Sequence, residues 1–338
     1  MTITVTLYIR QDCPACDQAK ADLEAIRADI PHQLVEIDIE MDSALREKYA
    51  EAVPVVEVGP YKLMTTFTQA DLRMSLGAAQ DRKNHLEQIA DPNYQRRVER
   101  GKNISRADRV SLWLSHHWLA VVNLMVFIYV GLPFLAPVLM KVGATIPANA
   151  IYTAYSPLCH QLAFRSFFLF GEQPYYPRAA AGVAEALSFG QATGLNENDL
   201  LSARAFRGND QLGYKVAVCE RDVAIYIAIV LFGLLFAVTG RRLKPLHWVL
   251  WLALAIFPIG LDGFSQLFSQ LNLPMLNVIF PYRESTPFLR VLTGAFFGFF
   301  TAWFGLPYME DSMRETREIL VRKFLVIEHT SNTRTTDT

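Results

Sequence analysis

The sequence predicts an α/β head followed by an all-α bundle of about four membrane-spanning helices. Three observations carry that expectation. Hydrophobic residues make up 51% of the 338 positions against 19% charged, a balance too apolar for a disordered chain and too long for one small domain. The apolar excess is uneven, because long charge-free runs begin only after Trp118. The first eighty residues instead alternate β-branched stretches with helical periodicity. A net charge of −1 gives no global basic field, so nucleic acid is excluded as a partner class. Four cysteines are too few for a disulfide-stapled secreted scaffold.

The elements of the head follow in order. Thr2 to Ile9 is β-branched and aromatic and reads as a strand. It lacks the basic start and apolar centre of a signal peptide. Gln18 to Ile30 reads as a helix, with Ala19, Leu23 and Ile26 on one face and Pro14 tolerated in the first turn. Leu34–Ile39 is a second strand, Ser43 to Ala50 a second helix, and Val53–Val58 a third strand opened by Pro54. Thr68 and Asp71 have capping-box spacing and start a further helix to about Ala79.

Between the first strand and first helix stand Asp12-Cys13-Pro14-Ala15-Cys16-Asp17. The orphan N–H groups and dipole of a helix start stabilise a thiolate and so activate Cys13. Cys16, three positions on, is spaced to close a disulfide and release a bound partner. Two cysteines are also half of a zinc site, but the head has no second pair. The flanking acids argue against burial of the pair. On Cys13-Pro14-Ala15-Cys16 and Val53-Pro54, residues 1–80 resemble a glutaredoxin/thioredoxin-fold domain. The resemblance implies that Cys13 is the nucleophile, that Cys16 resolves, and that Pro54 is a cis proline beside the active site. It also implies glutathione as a possible reductant, although Gly59-Pro60-Tyr61-Lys62 stands where a paired-glycine stretch usually docks it.

Residues 81–114 form a charged linker and interfacial segment, with Asp91-Pro92-Asn93 as a break. Four apolar runs follow: Trp118 to Met140, Val223 to Gly240, Leu246 to Phe268 and Val291 to Met309. Each is long enough to cross a bilayer. Pro133 and Pro137 suggest a kink in the first, and Gly294-x-x-x-Gly298 permits close helix approach in the last. The membrane domain is thus 115–310, with a long loop at 141–222, and a polar cytoplasmic tail at 311–338. Basic residues precede span one, follow span two (Arg241, Arg242, Lys244) and follow span four (Arg314, Arg317, Arg322, Lys323). Both termini are therefore expected on the cytoplasmic side of a bacterial inner membrane. The tail after Ile327 reads as disordered.

The long loop then faces outward, and Arg178 to Arg207 within it reads as soluble helices. Cys159, His160, Cys219 and Asp222 lie at its two ends. Three readings stay open for them: a Cys159–Cys219 disulfide, a zinc-type metal site, or uncoordinated thiols. Arg221, Asp262, Gln266 and Arg290 are expected as a polar cluster at the same membrane face, Asp262 pairing with Arg290 or Arg221. Arg165 and Arg178 read as solvated or in contact with lipid headgroups. The pattern Cys159-His160-Gln161, Arg165-Ser166-Phe167, Cys219-x-Arg221-Asp222, Asp262-Gly-Phe-Ser-Gln266 and Arg290-Val-Leu-Thr-Gly294 resembles a bacterial membrane-protein family, domain of unknown function 2085. The resemblance spans residues 118–308 and implies no activity.

The reading as a whole is a membrane-tethered, glutaredoxin-like thiol-disulfide oxidoreductase. Its partners would be a disulfide-containing protein or a small thiol, and membrane lipid. The alternative is a non-catalytic membrane protein that senses redox state or binds a metal such as zinc.

Overall fold

A computed structural model describes residues 3–41, 43–89, 92–271 and 281–336. The chain divides into two compact units, residues 1–117 with 312–338, and residues 118–311.

The first unit is built on a mixed four-stranded sheet. Its strands are β1 (Ile3–Ile9), β2 (His32–Asp38), β3 (Val55–Val58) and β4 (Tyr61–Met64), in the order β2-β1-β3-β4. β1 runs parallel to β2 and antiparallel to β3, and β4 closes a hairpin onto β3. β4 has no counterpart among the sequence expectations. Three of its four residues are exposed, so it lacks the apolar alternation that marks a half-buried strand.

Helix α1 (Pro14–Ile26) and helix α3 (Gln69–Ile89) cover one face of the sheet. Leu23, Ile26, Leu72 and Leu76 there are fully buried against Val5, Leu7 and Val56. The expected capping box is present at α3, where Thr68 N–H donates to Asp71 Oδ2 at 2.8 Å and Asp71 N–H donates to Thr68 Oγ1 at 3.3 Å. The opposite face buries Tyr8, Val35, Ile37 and Val55 beneath the short α2 (Ser43–Tyr49). One short helix cannot cover that face. Val321, Leu325 and Val326 from the chain's C-terminal helix complete it, and Arg322 ion-pairs with Glu57.

Helix α4 (Pro92–Lys102) begins at the expected break, Asp91 itself lying outside the described residues. Helix α5 (Arg106–Lys141) contains the first apolar run. In the second unit follow α6 (Thr145–Tyr155), strand β5 (Phe168–Leu169), α7 (Phe189–Thr193), α8 (Leu200–Ala205), and strands β6 (Gly208–Asn209) and β7 (Gly213–Lys215). The last two join β5 in a small sheet of order β5-β7-β6. The expected soluble helices over Arg178 to Arg207 are thus two short helices and a 3-10 turn beside a sheet. Aromatic packing of Phe164, Phe168, Tyr176 and Phe189 holds this segment together rather than helix periodicity.

Helices α9 (Glu220–Val238), α10 (Trp248–Gln270, with a π-helical stretch at Leu252–Ile256) and α11 (Pro287–Thr336) follow among the described residues. Among the described residues, four helices are long and apolar enough to cross a membrane: Arg106–Lys141, Glu220–Val238, Trp248–Gln270 and Pro287–Glu328. α11 meets α9 through glycine. A Cβ at Gly298 would stand 2.1 Å from the Ile225 carbonyl oxygen, and one at Gly294 2.7 Å from that of Arg221. Only glycine allows so close an approach. The tail expected to be disordered is helical to Thr336. It extends a helix already packed through Leu325 and Val326, and each further residue adds a hydrogen bond without a new nucleus.

Candidate functional site

In the head, the end of β1 delivers the chain into α1 through Arg10, Gln11 and Asp12. Cys13 is the N-cap of α1, with Pro14 in the first turn. The Cys16 N–H donates to Cys13 Sγ at 3.2 Å, which satisfies one of the orphan donors of the helix start. Cys13 and Cys16 are joined by a disulfide, with Cα atoms 5.2 Å apart. Cys13 is half-buried and Cys16 is 3% exposed. The expectation of an exposed pair therefore fails for Cys16. α1 turns it inward beside Ala19, while Asp12 and Asp17 stay in solvent.

The Val53–Pro54 peptide is cis. Val55 is paired with Tyr8 across β1 and β3, so Pro54 lies at the sheet end from which the Cys13 loop leaves.

Charged and aromatic groups at the far face of this sheet form a local network. Lys62 Nζ donates to Tyr49 Oη at 2.7 Å and lies 3.4 Å from Glu57. Burial opposes ionisation of Glu57, but the Arg322 guanidinium and Lys62 ammonium outweigh it and hold its pKa below the usual range.

In the second unit, two prolines build the platform for the other cysteines. Proline has no N–H, so Pro133 and Pro137 free the α5 carbonyls four residues earlier, those of Tyr129 and Pro133. Both find partners outside the helix. Tyr155 Oη donates to the Tyr129 carbonyl at 2.7 Å, and the Ala217 N–H to the Pro133 carbonyl at 3.3 Å. Tyr155 leads into Cys159 and Ala217 into Cys219, so both cysteine loops are tied to one stretch of α5.

The Cys219 N–H donates to Cys159 Sγ at 3.3 Å. Both cysteines are free thiols, Cys159 buried and Cys219 half-buried. Their sulfurs and an Asp222 carboxylate oxygen all lie within 4.8 Å of one another. His160 is exposed and outside this group. The Cys219 thiol hydrogen-bonds Cys159, which lowers the pKa of Cys159 against the opposing effect of burial. The same hydrogen bond, with burial, raises the pKa of Cys219.

Nearby Lys215 is fully buried, its ammonium donating to the carbonyls of Gln161 at 2.6 Å and Arg204 at 2.7 Å. Burial, with the Arg207 charge, pushes its pKa down to about 6.

The first turn of α9 faces two ways. Cys219 and Asp222 belong to the thiol group, whereas Glu220 and Arg221 enter a buried ionic network. Arg221 ion-pairs with Asp262, whose other oxygen is 2.7 Å from Arg283 and which also accepts from Ser285 Oγ at 2.7 Å. Gln266 Oε1 accepts from the Ser285 N–H at 3.3 Å. Arg290 pairs with Glu220 at 3.1 Å and Glu284 at 2.9 Å, not with Asp262. Glu284 also holds Arg165 at 2.6 Å and Arg178 at 3.2 Å. The reading of these two arginines as solvated or lipid-facing is corrected accordingly. A buried carboxylate, 3% exposed, requires counter-ions and draws them inward.

Sequence reasoning missed Glu220, Arg283, Glu284 and Ser285. Glu220 alone carried a signal, occupying the open position of the Cys219-x-Arg221-Asp222 pattern.

Comparison with known proteins divides the chain the same way. Residues 4–77 match the family model of a glutaredoxin-like domain (DUF836), and residues 204–304 match that of a predicted membrane protein family (DUF2085). An uncharacterized protein of Methanocaldococcus jannaschii is 26% identical over 201 residues, covering 57% of this chain and 91% of that one. A solved structure, structural-genomics target protein XcR50 from X. campestris, is 36% identical over 22% of this chain and 96% of that one, with a TM-score of 0.20. The chain therefore carries a glutaredoxin-like domain at its N-terminus and a DUF2085 segment among its apolar helices. The first gives the head a redox-type character and the second associates the chain with a membrane.

Proposed function

We propose that the chain is a membrane-tethered thiol-disulfide oxidoreductase whose reactive dithiol is Cys13 and Cys16. The observation that carries this reading is the asymmetry of the pair. Cys13 caps the helix, accepts the Cys16 N–H and is the more accessible sulfur, while Cys16 is buried behind it. N–H donation and the helix start both favour a thiolate on Cys13.

In the reduced head, the Cys13 thiolate attacks one sulfur of a substrate disulfide. A mixed disulfide forms and the other substrate sulfur leaves as a thiolate. The Cys16 thiolate then attacks Cys13 Sγ, closing the Cys13–Cys16 disulfide and releasing the second substrate thiol. Two electrons have passed to the substrate. A thiol reductant of the glutathione class, or a reduced protein dithiol, returns them to the head. Pro54, at the same sheet end, would present its neighbouring backbone to the substrate chain.

The head is proposed to work on the cytoplasmic side. Its sheet is completed by residues of the C-terminal helix, so both ends of the chain belong on one side, as an even number of spans requires. The three basic flanks favour the inside.

Trapping tests the reading. Reduced full-length protein in detergent should turn over a small disulfide, Cys16→Ser should accumulate a mixed disulfide through Cys13, and Cys13→Ser should accumulate none. A Cys13–Cys16 couple that oxidises and reduces without turning over any disulfide would instead mark a redox sensor and overturn the catalytic reading.

A further inference from the structure

The second cysteine pair has no role in that chemistry, and its surroundings fit another. Three groups that carry negative charge when ionised converge there: Cys159 Sγ, Cys219 Sγ and the Asp222 carboxylate, all within 4.8 Å. Asp222 has no ion-pair partner among the described residues. Arg221, beside it in sequence, is committed to Asp262. Lys215 has its amine bonded to two backbone carbonyls.

A disulfide would use the two sulfurs and leave a half-buried carboxylate beside them without a counter-ion. A cation would satisfy all three groups at once. We propose that Cys159, Cys219 and Asp222 hold a divalent cation of the zinc class, with a fourth tetrahedral position left open to solvent or an exogenous ligand.

The ligand chemistry fits. Two thiolates and one carboxylate suit zinc, and three protein ligands with an open position are the pattern of reactive rather than purely structural sites. A tetrahedral centre with Zn–S of about 2.3 Å sets its ligands about 3.7 Å apart, so side-chain adjustment of about 1 Å would close the group on a metal. The outer shell is already in place. Backbone N–H groups of Cys219 and Gln161 are aimed at Cys159 Sγ, and that of Asp222 at Cys219 Sγ. Such donors favour the thiolate forms that a metal requires. The loops bearing the cysteines are tied to α5 through the carbonyls freed by Pro133 and Pro137, so the site is positioned without the metal.

The test is metal content by mass spectrometry of full-length protein purified in detergent with zinc as the only added metal. About one zinc per chain is expected. Cys159→Ser and Cys219→Ser should each lose it, Asp222→Asn should weaken it by at least the about 10-fold that loss of an outer-shell partner alone costs, and the Cys13→Ser/Cys16→Ser double variant should retain it.

Cobalt substitution of the unmutated protein supplies a reading that does not depend on variants folding. A thiolate-to-cobalt charge-transfer band, displaced by added zinc, is expected. Zinc below a tenth of the chain concentration, no such band, or a Cys159–Cys219 disulfide found by non-reducing mass-tag labelling would each overturn the site.

Discussion

In the head, Cys13 and Cys16 are three residues apart on one helix turn, and one of them reaches solvent. In the second unit, Cys159 and Cys219 are sixty residues apart, come from two loops, and share their space with a carboxylate. The element is the same and the chemistry is set by the neighbours. A helix N-terminus that presents one half-exposed sulfur favours attack on another sulfur. Two sulfurs converging with Asp222 favour a shared cation. The contrast also shows how each pair is held: the first by the local geometry of Cys-x-x-Cys, the second by long-range contacts through Pro133 and Pro137.

The largest effect expected from this contrast is on turnover. Cys13→Ser should lower disulfide turnover by at least about 10³-fold, since no other group replaces the nucleophile. The Cys159→Ser/Cys219→Ser double variant should leave it within about twofold. Loss of turnover in the second variant would break the separation of the two pairs.

A large effect on stability should follow Glu284→Ala, which strands three buried or half-buried arginines. Removing one partner of a buried ionic network costs about 3–5 kcal/mol. Thermal unfolding followed by tryptophan emission, alongside head turnover, would show whether the loss spares the head.

Lys215 gives a pH test confined to the second unit. Its folded pKa, about 6, lies below the unfolded value, so between those two values the unfolded chain binds the extra proton. Stability should rise with pH from about 6 upward, by as much as about 1.4 kcal/mol per pH unit. In Lys215→Met that slope should vanish. An unchanged slope would mean that the amine is solvated in the folded protein.

Glu57→Gln should have the smallest effect. The lowered pKa of Glu57 contributes stability above the ordinary carboxylate pKa, and this is lost as pH falls through the folded value. Arg322 is 42% exposed, so solvent screening limits the contribution to about 1 kcal/mol. Acid unfolding of the variant should lack that component.

The head was legible because its signals are local. Cys13-Pro14-Ala15-Cys16, the Thr68–Asp71 capping box and the Ala19/Leu23/Ile26 stripe lie within a turn or two of what they specify. The spans were legible from length and apolarity alone.

What escaped depends on distant partners. Val321, Leu325 and Val326 are visible in a charged C-terminal stretch, but nothing local says that they cover a sheet formed by residues 3–64. Glu284 and Arg283 sit in a polar segment before α11 with no local signal of burial; distant Arg165 and Arg178, with Arg290, pair with the Glu284 carboxylate. Asp222 was singled out, whereas the exposure of His160 depended on how the loop after Tyr155 turns.

The central claim is that the position of Cys13 at the start of α1 makes it the reactive sulfur of the chain. Alkylation of each cysteine in the fully reduced, full-length protein, followed by mass spectrometry across pH, tests it most directly. The account predicts an apparent pKa for Cys13 clearly below the ~8.5 of a free cysteine and alkylation of Cys13 well ahead of Cys16. A Cys13 value at or above that of free cysteine, or faster modification of Cys16, would contradict it.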